Sequence, residues 1–274
     1  MFTPTATLED AIIKACTEHE DQHGGKRGYR RCLVFEGFFV KFDDYISLQP
    51  QAETQIYVFQ CAMHDTNAPR IPEVLHFLHR DGDDMAYIIM DYINLTATPP
   101  PDFHSKVAHA LQWLHDLPLP HERVRIGPLG SGCARHPVFK DYVAPLPFTS
   151  VQAIQRYLNH DLGQAIARFK LGDSVDMSQD ALVFTQSDMH ESNFGVDDNG
   201  KAVLFDFGDV GILPESFARY TMASTAPFTA AVAKHLGWPS PPDLNTLSKL
   251  RGTLWMVGKP ELGLDENGMP TSVN

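Results

Sequence analysis

Two short stretches of the 274-residue chain concentrate the side chains best able to do chemistry. One runs Phe184-Thr185-Gln186-Ser187-Asp188-Met189-His190-Glu191-Ser192-Asn193, the other Leu204-Phe205-Asp206-Phe207-Gly208-Asp209. Asp188 and Asn193 stand five apart on a polar loop leaving an expected strand, and Asp206 follows thirteen residues later at the end of the next hairpin. Such spacing can bring a carboxylate base and two hard oxygen donors to one point. Mg²⁺ takes carboxylate and carbonyl oxygens together with phosphate oxygens and water, and phosphoryl transfer uses a carboxylate to accept the nucleophile's proton. A single loop Asp is most often a turn or capping residue, so the weight lies on the set and its order. His190 reads as a brace of its loop through backbone contacts, and Asp209 as a cap on the helix expected to follow.

The elements that must position these groups follow from local periodicity. Residues 7–23 predict an amphipathic helix capped by Thr7, with Leu8, Ala11, Ile12, Ala15 and Cys16 at helical spacing and Gly24-Gly25 as its stop. Residues 31–35 and 38–42 predict two strands joined at Glu36-Gly37, with Phe38, Val40 and Phe42 on one face and Phe39 and Lys41 on the other. A helix over 50–63 carries Ala52, Ile56, Phe59 and Met63 as its apolar stripe, leaving Glu53 off it. Strands over 74–79 and 85–90 flank the turn Asp81-Gly82-Asp83-Asp84. Residues 1–92 thus form a small α+β unit. Residues 93–274, entered through Pro99-Pro100-Pro101, are mainly helical. Asp102 precedes a helix through Val107, Leu111 and Leu114, and Thr149 or Ser150 caps a longer one through Val151, Ile154, Leu158, Leu162, Ile166 and Phe169. A strand over 182–185 leads into the polar loop. A hairpin over 194–196 and 202–207 is closed by Asp197-Asp198-Asn199-Gly200, and short helices are expected over 214–222, 226–236 and 243–256.

Composition excludes several classes of partner. With 22 Lys and Arg against 34 Asp and Glu the net charge is −12, which repels nucleic acid and anionic lipid and favours a neutral or cationic small molecule. No apolar run approaches the ~18 residues of a membrane-spanning helix, and Glu9 and Asp10 stand where a signal peptide would be basic, so a cytoplasmic protein is expected. Cys16, Cys32, Cys61 and Cys133 are scattered without CxxC spacing, which signals neither disulfides nor a thiolate metal site. Gly127-Pro128-Leu129-Gly130-Ser131-Gly132 lacks the following Lys-Ser/Thr of a phosphate loop. Asp265-Glu266-Asn267-Gly268, like the turn at 197–200, lacks the ligand alternation of a calcium loop.

The loop and hairpin together resemble the aminoglycoside phosphotransferase and choline kinase superfamily, which shares the protein-kinase-like fold. There the loop reads roughly His-Gly-Asp-x-x-x-x-Asn, and a further Asp follows a hairpin. The resemblance implies that Asp188 is the catalytic base, that Asn193 and Asp206 hold Mg²⁺, and that His190 matches the family's Leu-His-Pro-x-Asn. It also places Lys41 where the family keeps the strand lysine that holds the α- and β-phosphates of ATP. Glu53 then stands as its ion-pair partner, which would fix a phosphate-facing ammonium in a dry cleft. Met90-Asp91-Tyr92-Ile93 looks like the hinge that carries adenine, with Asp91 and Ile93 as nucleotide-binding positions. The stretches 111–115 and 148–158 are similar to fungal-type members, and the likeness runs from about residue 31 to 210. The fold implied is α+β and two-lobed, with an antiparallel-sheet nucleotide lobe over 1–92 and a mainly helical lobe over 93–274. The activity implied is ATP- and Mg²⁺-dependent transfer of the γ-phosphoryl group to a hydroxyl of a small molecule, for which an amine-bearing acceptor fits the acidic balance. Three departures support competing readings. Gln186-Ser187 replaces the His-Gly, Gly24-Gly25-Lys26-Arg27-Gly28 follows a helix where the family's glycine-rich loop follows a strand, and the chain after Asp206 is brief. A pseudokinase or kinase-fold binding protein is the alternative they motivate, and a different chemistry in the same cleft is a third.

Overall fold

Helix α1 (Ala6–His23) opens the chain in the computed structural model, which describes residues 4–120, 125–169 and 174–271, without the side chains of 161–169. Its cap is Thr5, whose hydroxyl accepts from the Leu8 N–H, so Thr7, the expected cap, lies in the first turn. The next elements are β1 (Cys32–Phe35), β2 (Phe38–Asp44), α2 (Tyr45–Met63), β3 (Val74–His79) and β4 (Met85–Asp91). The four strands form one antiparallel sheet in the order β1-β2-β4-β3. Glu36 and Gly37 close the β1–β2 hairpin with φ of 47° and 84°, the left-handed pair that a two-residue turn needs to follow strand twist. The alternation of β2 falls as expected. Val40 and Phe42 pack on Ile12 and Cys16 of α1, while Phe39 packs with Leu48 and Ala52 of α2 on the opposite face.

α2 begins five residues before the expected start because the Asp44 carboxylate caps it by accepting from the Ser47 N–H at 2.9 Å. Pro50 therefore lies inside the helix, where its missing N–H leaves the Ile46 carbonyl without its helical donor. Ile46 is 79% exposed, and water can supply the bond. The inward stripe also differs from the expected one. It passes through Leu48, Ala52, Gln55 and Val58, whereas Met63 is 60% exposed. Gln55 is tolerated inside because its amide donates to the Pro72 carbonyl at 2.8 Å.

The remainder is built from α3 (Phe103–His115), α4 (Val151–Phe169), β5 (Leu182–Gln186), β6 (Phe194–Val196), β7 (Ala202–Leu204), β8 (Val210–Pro214), α5 (Glu215–Met222), α6 (Pro227–Leu236) and α7 (Leu244–Met256). Val151, Ile154 and Leu158 of α4 are buried, while Leu162, Ile166 and Phe169 of the expected stripe lie outside the described side chains. β8 is an addition to the expected elements and pairs antiparallel with β5 from Leu182↔Pro214 to Gln186↔Val210. All five of its residues are buried, so it shows none of the alternation that marks a half-exposed strand. Gly211 lets it pass the 127–128 backbone, because a Cβ there would stand 2.8 Å from the Gly127 carbonyl.

Two buried clusters support the site from below. One joins Val107, Leu111 and Leu114 of α3 to Phe184, Leu204, Phe207 and Ile212, and takes in Val58 of α2. The other joins Ile154 and Leu158 of α4 to Phe139, Phe217 and the α7 leucines. Arg70 bridges to Val203, the Leu204 N–H donates to the Arg70 carbonyl and the Arg70 N–H to the Ala202 carbonyl. The β6–β7 hairpin is thereby sewn to the chain that precedes β3.

Candidate active site

β5 delivers the polar loop, and a short 3-10 turn over Glu191–Asn193 returns it to β6. Asn193, only 2% exposed, donates from Nδ2 to Asp188 Oδ2 at 2.9 Å and to the Asp188 carbonyl at 3.1 Å. The His190 N–H donates to Asp188 Oδ1 at 3.1 Å. Asp188 is therefore oriented by both ends of its own loop, and the amide oxygen of Asn193 is the atom with the character of a metal ligand. His190 Nδ1 contacts the Ser192 hydroxyl at 2.7 Å and accepts from the Ser192 N–H, the loop-bracing geometry expected of it.

Gln186 stands two residues before Asp188, at the end of β5. Its Oε1 accepts from the Asp188 N–H at 3.0 Å and its Nε2 donates to the Asp206 carbonyl at 3.1 Å, so one buried amide ties the two acidic segments together. The Ser187 N–H donates to the Asp209 carbonyl. Ser187 Oγ is buried with no hydrogen-bond partner among the described residues. Asp209 does not cap a helix, because β8 follows it, and its carboxylate instead accepts from Arg135 Nε at 2.7 Å.

The hairpin strand expected to reach residue 207 stops at Leu204, because Asp206 turns into the left-handed region with φ 51° and ψ 83°. That conformation is costly for a residue with a Cβ and aims the carboxylate back toward the sheet. Oδ1 accepts from Lys41 Nζ at 2.7 Å and from the Gly208 N–H at 3.2 Å. Burial alone raises the Asp206 pKa, but the Lys41 charge and hydrogen bond, the Gly208 N–H and the more distant Arg30 outweigh it and hold the carboxyl below its ordinary value.

Lys41 meets α2 through Gln51 rather than Glu53. Its Nζ donates to Gln51 Oε1 at 2.7 Å, and Gln51 Nε2 in turn donates to the Ser47 carbonyl. Two residues on a helix are about 200° apart around its axis, so when Gln51 faces the lysine Glu53 must face away. Glu53 accepts from the Gln49 amide and lies against Gly130, where a Cβ would sit 2.0 Å from its Oε2. The expected Lys41–Glu53 ion pair is therefore replaced by a neutral partner. The inward polar face at Gln51 and Gln55 was the available signal, four residues apart and flanking Ala52.

At the end of β4 the Asp91 carboxylate accepts from the Glu73 N–H and pairs with the Arg70 guanidinium. Its side chain thus anchors the strand. A cleft of about 960 Å³ lies between the sheet and the loop, lined by Lys41, Asp91 and Ile93 on one side and by Asp188, Asn193 and Asp206 on the other. Six of the seven expected site residues share this cleft, and Glu53 is not among its walls. The stretch 24–28 follows α1 and carries no strand before it, so no β-hairpin covers the cleft from that side among the described residues.

The cleft thus sets the lysine of an antiparallel sheet across from a loop Asp-Asn pair and a second Asp. No protein-family model matches the sequence, and comparison with curated proteins finds no match. Among solved structures the chain is similar to the GDP complex of a point mutant of aminoglycoside 2'-phosphotransferase-IIIa. The TM-score is 0.50 and the identity 12%, over 89% of this chain and 86% of that one. It is also similar to a spectinomycin phosphotransferase in complex with ADP and spectinomycin, with TM-score 0.47 and 11% identity over 81% and 75% of the two chains. A third similar structure is the streptomycin-ATP ternary complex of an aminoglycoside phosphotransferase, with TM-score 0.44 and 13% identity over 99% and 100%. The chain has the α+β, protein-kinase-like fold of the aminoglycoside phosphotransferases.

Proposed function

We propose that the chain is an ATP- and Mg²⁺-dependent kinase that phosphorylates a hydroxyl of a small molecule, with a nucleotide lobe over 1–92 and a helical lobe over 93–274. The observation that carries this reading is the convergence of Lys41, Asp188, Asn193 and Asp206 on one cleft, with Gln186 holding the two acidic segments in register. Asp188, oriented by Asn193 and His190, accepts the proton of the acceptor hydroxyl as the oxygen attacks. Lys41 binds the α- and β-phosphate oxygens, and the backbone at Asp91 and Ile93 receives the base. The donor set fits Mg²⁺, since one carboxylate from Asp206 and one amide oxygen from Asn193 leave room for the phosphate oxygens and waters that this ion keeps. When bound, the ion neutralises charge on the transferring phosphates. No helix among the described residues is long and apolar enough to cross a membrane, and a cytoplasmic location suits the reading.

Calorimetric titration of ATP with and without Mg²⁺ tests it without knowledge of the acceptor. Wild-type protein is expected to bind ATP only with Mg²⁺, and Asp206→Ala to lose that binding. Asp188→Asn keeps the binding and loses turnover to ADP once an acceptor is supplied. Absence of binding at millimolar ATP, a free energy weaker than about −4 kcal/mol, overturns the reading. The neutral Gln51 beside Lys41 favours a second reading, a kinase-fold binding protein that holds nucleotide without transferring phosphate. Mg²⁺-dependent binding with no ADP release across a panel of hydroxylated amines would select it.

A further inference from the structure

Resting on that nucleotide reading, we propose that Arg30 grips the terminal phosphate of a bound nucleoside triphosphate, supplying by a side-chain cation the hold that a glycine-rich loop gives in protein kinases. Arg30 lies in the segment between α1 and β1, which lines the mouth of the cleft through Gly24, Tyr29, Arg30 and Arg31. Its neighbours are pinned. The Tyr29 hydroxyl donates to Glu20 at 2.6 Å, and Arg31 is neutralised by Glu20 at 3.2 Å and Asp43 at 2.7 Å.

Arg30 differs from both. It is exposed, and its Nη2 crosses the cleft to donate to the Ser192 hydroxyl at 2.8 Å, on the loop beside Asn193 and 162 residues away in sequence. The guanidinium therefore meets the Asp188–Asn193 loop at Ser192, in the same cleft as Asp188. A neutral hydroxyl is a weak partner for a guanidinium, whose planar fork matches phosphate oxygens two at a time. Lys41 is assigned to the α- and β-phosphates, so the far end of a triphosphate is left to a further cation, and Arg30 is placed to be it.

Titrations of Mg·ATP and Mg·ADP into wild type, Arg30→Gln and Ser192→Ala separate this role from a structural strap. Arg30→Gln is expected to weaken Mg·ATP at least about tenfold, the scale of one hydrogen bond to a charged group, and Mg·ADP by less than about twofold. Ser192→Ala removes the hydroxyl, leaves the guanidinium and is expected to keep the wild-type preference for ATP over ADP. A strap between the two sides of the cleft would weaken both nucleotides together and would be reproduced by Ser192→Ala. Equal losses for both nucleotides in Arg30→Gln, or no loss, overturn the proposal while wild-type binding leaves the nucleotide reading standing. Wild type that binds neither nucleotide overturns that reading and this one with it.

Discussion

Gln186→Leu asks whether one amide holds the two acidic segments together. The side chain is 2% exposed and makes two hydrogen bonds, from the Asp188 N–H at 3.0 Å and to the Asp206 carbonyl at 3.1 Å. Leucine fills nearly the same volume but leaves both backbone groups without a partner. Both bonds are part-buried and Asp188 and Asp206 are themselves exposed, so each loss costs about 0.5–1.5 kcal/mol, or roughly 1–3 kcal/mol for the pair. At about 2 °C per kcal/mol for a chain of this size, the thermal midpoint should fall by about 2–6 °C. Circular dichroism melts of wild type and variant read that shift. Gln186→Glu keeps an acceptor for Asp188 but turns an acceptor toward the Asp206 carbonyl, so it should be no more stable than Gln186→Leu. In both variants the Asp188 and Asp206 segments lose their common tie, and Mg²⁺-dependent ATP binding should weaken with it. A Gln186→Leu midpoint within about 1 °C of wild type, with ATP affinity unchanged, would refute the bracing role.

Gln51→Ala should weaken ATP binding more than Glu53→Ala, because Gln51 touches Lys41 at 2.7 Å while Glu53 faces Gly130. Equal losses by calorimetry would return the helix partner of Lys41 to Glu53. His136 is fully buried, its Nδ1 accepting from the Val138 N–H and its Nε2 facing the Phe217 carbonyl, and burial pushes its imidazole from 6.5 down to about 3. The unfolded chain therefore takes up the proton first, so this contribution is complete above the unfolded value and is lost toward pH 3, at up to about 1.4 kcal/mol per pH unit. Urea midpoints at neutral pH and near pH 4.5 should separate more for wild type than for His136→Gln, and equal separations would remove His136 as the cause.

What the sequence revealed and what it hid divide along physical lines. Lys41 could be placed because a strand's side chains alternate, and Val40 and Phe42 mark one face so plainly that the lysine must take the other. Asp188, Asn193 and Asp206 could be grouped because a short loop and a tight hairpin can bring them to one point, and their order resembles that of the aminoglycoside phosphotransferases. The face of α2 could not be read from apolar residues, since Gln51 and Gln55 form part of it and Pro50 resembles a start rather than an interior residue. β8 escaped because a strand buried on both sides has no period of two, and because Gly211 resembles a breaker although close passage past Gly127 requires it.

The helix partner of Lys41 is the neutral amide of Gln51 and not the expected acid Glu53, and this changes how the site responds to charge. The carboxylate that Lys41 meets is Asp206, the same group proposed to hold Mg²⁺. A phosphate that draws the Lys41 ammonium therefore frees Asp206 for the ion, and an ion that draws Asp206 frees Lys41 for the phosphate. With a glutamate beside the lysine the two events would be buffered from one another. With a glutamine they are joined through a single ion pair, so nucleotide and metal should each strengthen binding of the other by the same factor.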